Sequence, residues 1–209
     1  MRLSSMGSGM WYKVLLESNV TKEVDENGFT FTVTTKPEKM NPDLPWSTIW
    51  SRSFLPGLDS EVTSFLFKML NDLLTTQVRF HRVLTTVTSS NCTLCDREVQ
   101  GDLLHTLIYC SYNLGSGDWL LRCLTALLPQ LQPKQPLTLN FNTDLQADHN
   151  MAVTWFTANV LHEILGARVK KKRPEVYLIR ATLEAKIMLL RKSRYSDICD
   201  IISNMLATI

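Results

Sequence analysis

From residue 60 onward, apolar residues recur at three- and four-residue spacing, the period of a helix that buries one face. Between Ser60 and Leu74 the in-phase positions are Val62, Phe65, Leu66, Met69, Leu70 and Leu73, and Asp59 or Ser60 can cap the start. A second helix is predicted from Thr76 to about Val87, with Val78, Val83, Leu84 and Val87 as apolar contacts and Arg79, His81 and Arg82 on its more polar surface. A third stripe is Trp119, Leu120, Cys123, Leu124, Leu127 and Leu128, ended by Pro129. The polar run SYNLGSGD before it reads as a turn. A long amphipathic helix is predicted from about Asp148, with Val153, Phe156, Val160, Leu161, Ile164 and Leu165 in phase, ending near Gly166 to Lys172. Pro174 opens the next helix, because proline is tolerated in a first turn, and Val176, Ile179, Leu183, Ile187 and Leu190 form its stripe. A last helix, capped by Ser196 or Asp197, uses Ile198, Ile201, Ile202 and Met205.

The first part of the chain follows a different period. Trp11 to Ser18 and Phe29 to Thr35 are rich in aromatic and β-branched residues and flank Asp25-Glu26-Asn27-Gly28, whose Asn-Gly pair signals a hairpin turn. Pro37, Pro42 and Pro45 then mark an extended connector. It leads to PWSTIW, whose tryptophans read as packing anchors. Gln130 to Pro136 reads as a linker, and Leu137 to Phe141 as a short strand.

Between the second and third helices lies NCTLCDREVQGDLLHTLIYC. Two residues separate Cys92 from Cys95, nine lead to His105, and four more to Cys110. A lone Cys-x-x-Cys can be a pair of core thiols or a redox pair. Four ligand-type residues in this compass point instead to one Zn²⁺, held tetrahedrally by thiolates and an imidazole. His105 and Cys110 share a side of a helix only if its last turn loosens near Cys110, which would leave Leu104, Leu107 and Ile108 facing a core. Four protein ligands leave no open position for water or substrate, so the zinc would be structural. Cys123 and Cys199 fall within apolar stripes and read as core thiols. The expected fold is therefore mainly α, a multi-helix domain with an embedded Cys-Cys-His-Cys zinc knuckle, preceded by a short N-terminal β-hairpin. Its segments would be 1–45 (hairpin and connector), 46–128 (helical zinc-knuckle region), 129–147 (linker with short strand) and 148–209 (C-terminal helices).

Composition narrows the function. With 209 residues, 44% hydrophobic and 20% charged, the chain has an ordinary globular balance. No apolar run reaches membrane-spanning length, and MRLSSMGSGMWYK lacks the apolar stretch of a secretory signal, so an intracellular setting, nucleus or cytoplasm, is expected. The net charge of +2 hides an uneven distribution. Arg168, Lys170, Lys171, Lys172, Arg173, Arg180, Lys186, Arg191, Lys192 and Arg194 face only Glu175 and Glu184 in the same stretch. The run Lys170 to Arg173 can be a solvated turn, a nuclear-import signal or a phosphate-binding patch. Arg79, His81 and Arg82 can likewise be a solvated face or phosphate contacts. No Tyr-x-Asp-Asp signature, Walker-type loop or acidic set for two-metal chemistry is present. His81, His149 and His162 have no nearby Ser or Cys nucleophile motif, so the chain reads as non-enzymatic, without a small-molecule substrate.

PWSTIW, SFLFKMLNDLLTTQVRFHRV, the Cys-x2-Cys-x9-His-x4-Cys set with HTLIYC and Asn113, and the tail patterns EILGAR and IRATLEAKIMLLRKSRY occur in that order. Together, from about Trp11 to Tyr195, they resemble the zinc-binding region C-terminal to the reverse transcriptase of non-LTR, LINE-type retrotransposon polyproteins. Thr75 stands where that family often has proline, and Leu165 where it often has an aromatic residue. The resemblance implies a non-catalytic module that accompanies the polymerase and helps hold template RNA or target DNA. The phosphate contacts expected are Arg79, His81, Arg82, Lys170, Lys171, Lys172 and Arg173. The alternative is a helical module that docks on the polymerase domain and touches no nucleic acid.

Overall fold

The computed structural model describes residues 55, 57–70, 74, 76–83, 87–95, 97–127, 147–192 and 195–207. The expected hairpin, the proline connector, PWSTIW and the strand at Leu137 to Phe141 lie outside these residues. The described chain is mainly helical: α1 (Ser60–Leu70), α2 (Gln77–Val83), a π-helical turn (His105–Tyr109), a 3₁₀ turn (Ser111–Asn113), α3 (Leu114–Leu127), α4 (Ala147–Val169), α5 (Val176–Arg191) and α6 (Ser196–Ala207). Its β-type pairing among the described residues is an isolated antiparallel bridge between Asn91 and Gln100.

Asp59 caps α1, its Oδ1 accepting the Val62 N–H at 2.8 Å, as an N-cap carboxylate should. Its Oδ2 accepts from Lys186 Nζ on α5 at 2.8 Å, and that ammonium also donates to Asn159 Oδ1 on α4 at 2.8 Å. Lys186 thus ties the start of α1 to the interiors of α4 and α5.

α4 is the central element and packs against α1, α3, α5, α6 and the π turn. Every residue from 152 to 161 is buried. The expected amphipathic stripe is therefore part of a helix enclosed on all sides over this stretch, the behaviour of a core helix. Its polar residues are buried with the rest: Thr154, Thr157 and Asn159 are each at most 1% exposed, and Asn159 Nδ2 donates to the Trp155 carbonyl one turn back at 2.8 Å. The core runs through α1, the π turn, α3, α4, α5 and α6, from Val62 and Leu66 through Leu107, Ile108, Leu120, Phe156, Leu161 and Leu183 to Ile202.

α3 begins at Leu114, so most of SYNLGSGD is helical rather than a turn. Gly117 in it serves a close approach rather than a turn. A Cβ on Gly117 would lie 2.2 Å from the Ile108 carbonyl oxygen, so only glycine lets α3 sit against the π turn.

α4 ends as a Schellman motif. Lys171 N–H donates to the Arg168 carbonyl at 2.8 Å and Lys172 N–H to the Ala167 carbonyl at 2.9 Å, with Lys171 left-handed at φ 54. No described helix is long and apolar enough to cross a membrane.

Candidate metal centre

The site is built on a short out-and-back excursion of the chain. Cys92 N–H donates to the Val99 carbonyl at 2.8 Å and Gly101 N–H to the Ser90 carbonyl at 2.9 Å, around the Asn91–Gln100 bridge. Gln77 Nε2 and the Val78 N–H hold α2 against the base of this excursion, donating to the carbonyls of Ser89 and Gly101. Asp102 then starts the next turn: its Oδ1 accepts the His105 N–H at 2.7 Å, and its carbonyl accepts the Thr106 N–H. The turn closes with Cys110 N–H on the His105 carbonyl at 2.8 Å. That is an i→i+5 bond, the widened pitch of a π turn. It supplies the loosening that residues five apart need to share a side, while Leu107 and Ile108 turn into the core.

The result brings Cys92, Cys95, His105 and Cys110 together, their ligand atoms all within 4.8 Å of one another. Cys92 Sγ lies 3.7 Å from Cys110 Sγ, and Cys95 Sγ 3.4 Å from His105 Nε2. Two thiolates at about 2.3 Å from a tetrahedral zinc sit about 3.8 Å apart, and a thiolate and an imidazole nitrogen about 3.6 Å apart. The cluster is therefore of a size that can hold one metal ion. The sulfur separation is far beyond a disulfide, and all of these cysteines are free.

The electrostatics favour metal binding at Cys92. Burial pushes its thiol up, but the Leu94 N–H, the Arg168 guanidinium, His105 and Cys95 outweigh it and bring the pKa down to about 6. Cys95 moves the other way, raised first by burial and also by its sulfur neighbours, although the Arg97 backbone opposes this. Thiolates are the ligand form, so Cys92 offers the first sulfur. Cys123 and Cys199 are fully buried, and burial raises both thiols, Cys123 to about 12. They are core thiols, as their stripes suggest.

Two residues beside the cluster have roles that periodicity does not announce. Arg168 belongs by sequence to the basic tail, yet it is only 8% exposed. Its Nη1 donates to Asn113 Oδ1 at 2.7 Å and its Nη2 points at Cys92 Sγ at 3.6 Å. Asn113 Nδ2 in turn donates to the Leu107 carbonyl at 2.9 Å and the Thr106 carbonyl at 3.4 Å. The available signal is register: Arg168 follows Ile164 by four residues and so lies on the buried stripe.

The expected phosphate contacts fall in two places. Lys170, Lys171, Lys172 and Arg173 are all exposed on the turn that leaves α4. Arg173 lies over the ring of Tyr112, 5.9 Å from its centroid and two residues beyond Cys110. Among the described residues, none of the four forms a salt bridge with a carboxylate. Arg79, His81 and Arg82 lie on α2, with Arg79 half-buried and His81 exposed. Comparison with family models, curated proteins and solved structures gives no match for this chain.

Proposed function

We propose that the chain is a non-catalytic zinc module that holds RNA or DNA through phosphate contacts, as part of a retrotransposon-type reverse transcriptase polyprotein. Three thiolates and one imidazole in a closed tetrahedron suit Zn²⁺. The ion would be structural, because the four ligands fill its coordination. It would supply cross-linking between the excursion at Cys92 and the turn at Cys110, and so fix the surface around them.

The observation that carries the nucleic-acid reading is the turn from Lys170 to Arg173. It presents consecutive exposed cations beside the metal centre, and one of them, Lys171, occupies a left-handed position where glycine is favoured. Cations on one turn neutralise phosphates without reading bases, which gives affinity with little sequence preference. Arg79, His81 and Arg82 on α2 are the other phosphate contacts in this reading.

A second reading has its own support. α5 leaves Tyr177, Leu178, Met188 and Leu189 each more than half exposed, an apolar face suited to docking on an upstream polymerase domain. Metal analysis and a salt titration together separate the readings. The expected outcome is one zinc per chain and binding to RNA and duplex DNA that weakens steeply with salt. One zinc with no binding to either at about 50 mM salt would favour docking, and no zinc would remove the metal reading itself.

A further inference from the structure

We infer that Arg168, held by Asn113, is a positioning residue of the metal centre: its guanidinium neutralises the surplus charge of the ligand set and fixes the end of α4 to Cys92. This rests on the metal reading above and deepens it.

A guanidinium as buried as Arg168 needs an anionic partner, since a buried charge without one is strongly destabilising. Among the described residues no carboxylate pairs with it, and its bonded neighbours are the neutral Asn113 amide and the Cys92 sulfur. Cys92 as thiolate is the anion in reach. Three thiolates and a neutral imidazole around a divalent ion leave one negative charge in surplus. Arg168 supplies the matching positive charge at the sulfur nearest to it.

Asn113 makes the arrangement directional. Its Nδ2 is committed to the Leu107 and Thr106 carbonyls of the turn that carries the ligands. Its Oδ1 is thereby left facing Arg168 Nη1. The amide thus joins the ligand-bearing turn to α4, and the outer partners of a metal site commonly tune its affinity about 10- to 100-fold. Arg168 is also the residue whose carbonyl receives the Lys171 N–H. The metal centre therefore grips the helix end from which the basic turn leaves.

The test uses Co²⁺ as probe, with affinity measured by competition against a chelator at fixed pH. Arg168→Met should bind Co²⁺ about 10- to 100-fold more weakly than the parent. Its thiolate-to-cobalt charge-transfer band should move to lower energy, because the sulfur loses an N–H donor. Arg168→Lys, which keeps the charge, should recover part of the affinity. Equal affinity and an unmoved band in Arg168→Met would overturn the inference while leaving the metal reading intact. A parent that takes up no stoichiometric Co²⁺ would overturn both. Should Arg168→Met not fold, the metal-loaded parent decides. Its Arg168 guanidinium protons, followed by NMR, should exchange slowly with solvent, and exchange at the rate of free arginine would overturn the proposal.

Discussion

Lys171 occupies the left-handed position of a Schellman motif, where any side chain with a Cβ is strained by roughly 1–2 kcal/mol. Glycine removes that strain but loses about 0.5–1 kcal/mol through the greater freedom of the unfolded chain. The balance predicts that Lys171→Gly stabilises the protein by up to about 1 kcal/mol, read as a raised urea midpoint with an unchanged slope. A less stable variant would mean that the left-handed position costs the lysine nothing. A residue kept where it strains the backbone points to a use for its ammonium, so the same variant should bind nucleic acid more weakly. Arg168 shows a different limit at this scale. Its partner Asn113 lies 55 positions away, and no local pattern pairs residues at that distance. The Cys92, Cys95, His105 and Cys110 cluster is legible because its spacing is itself the chemical signal.

Asp59 tests how elements are joined, since it caps α1 and receives Lys186 from α5. Burial acts to raise its carboxyl pKa, but the Lys186 ammonium and the Val62 N–H outweigh this and hold it below the usual value. A carboxyl depressed in the folded state contributes stability above its unfolded pKa of about 3.9, and that contribution is lost as pH falls through the lower folded value. Asp59→Ala should therefore cost about 1 kcal/mol at pH 7, mostly through removal of the cap, because the ion pair is only partly buried, is screened by solvent and leaves Lys186 its bond to Asn159. The gap between parent and variant should narrow from pH 5 downward. A gap that stays constant to pH 3 would remove the carboxylate from the account. Helix positions are legible from period, and α5 and α6 follow their predicted stripes. Two features are not. Thr154, Thr157 and Asn159 are buried although nothing in their polarity announces the helices packed over them. SYNLGSGD looks like a turn because glycine commonly breaks helices, whereas Gly117 is there to let the Ile108 carbonyl approach.

At the scale of the whole molecule, the π turn that carries His105 and Cys110 packs on α3 and on α4, and its Leu107 and Ile108 belong to the same core as α5 and α6. Metal binding is coupled to folding, so Cys92→Ser or His105→Ala should lose the ion and lower the melting temperature of the helices as one transition. A variant that lost its metal yet melted like the parent would show that the ion is not part of the fold's stability. The basic turn allows a sharper test, because it lies on the surface and its charges can be removed without touching the core. Replacing Lys170, Lys171, Lys172 and Arg173 with Gln should weaken binding to every RNA and DNA sequence alike. For each phosphate no longer neutralised, the log–log salt dependence should flatten by about 0.9 on duplex DNA and about 0.7 on single strands. Stability should change little, except for whatever Arg173 gives by lying over Tyr112. Arg79→Gln with Arg82→Gln probes α2 in the same way, and slopes that flatten in both variants would place both elements on one phosphate path. Equal slopes in parent and variants would leave these cations as solvated surface and shift the role of the molecule to the apolar face of α5.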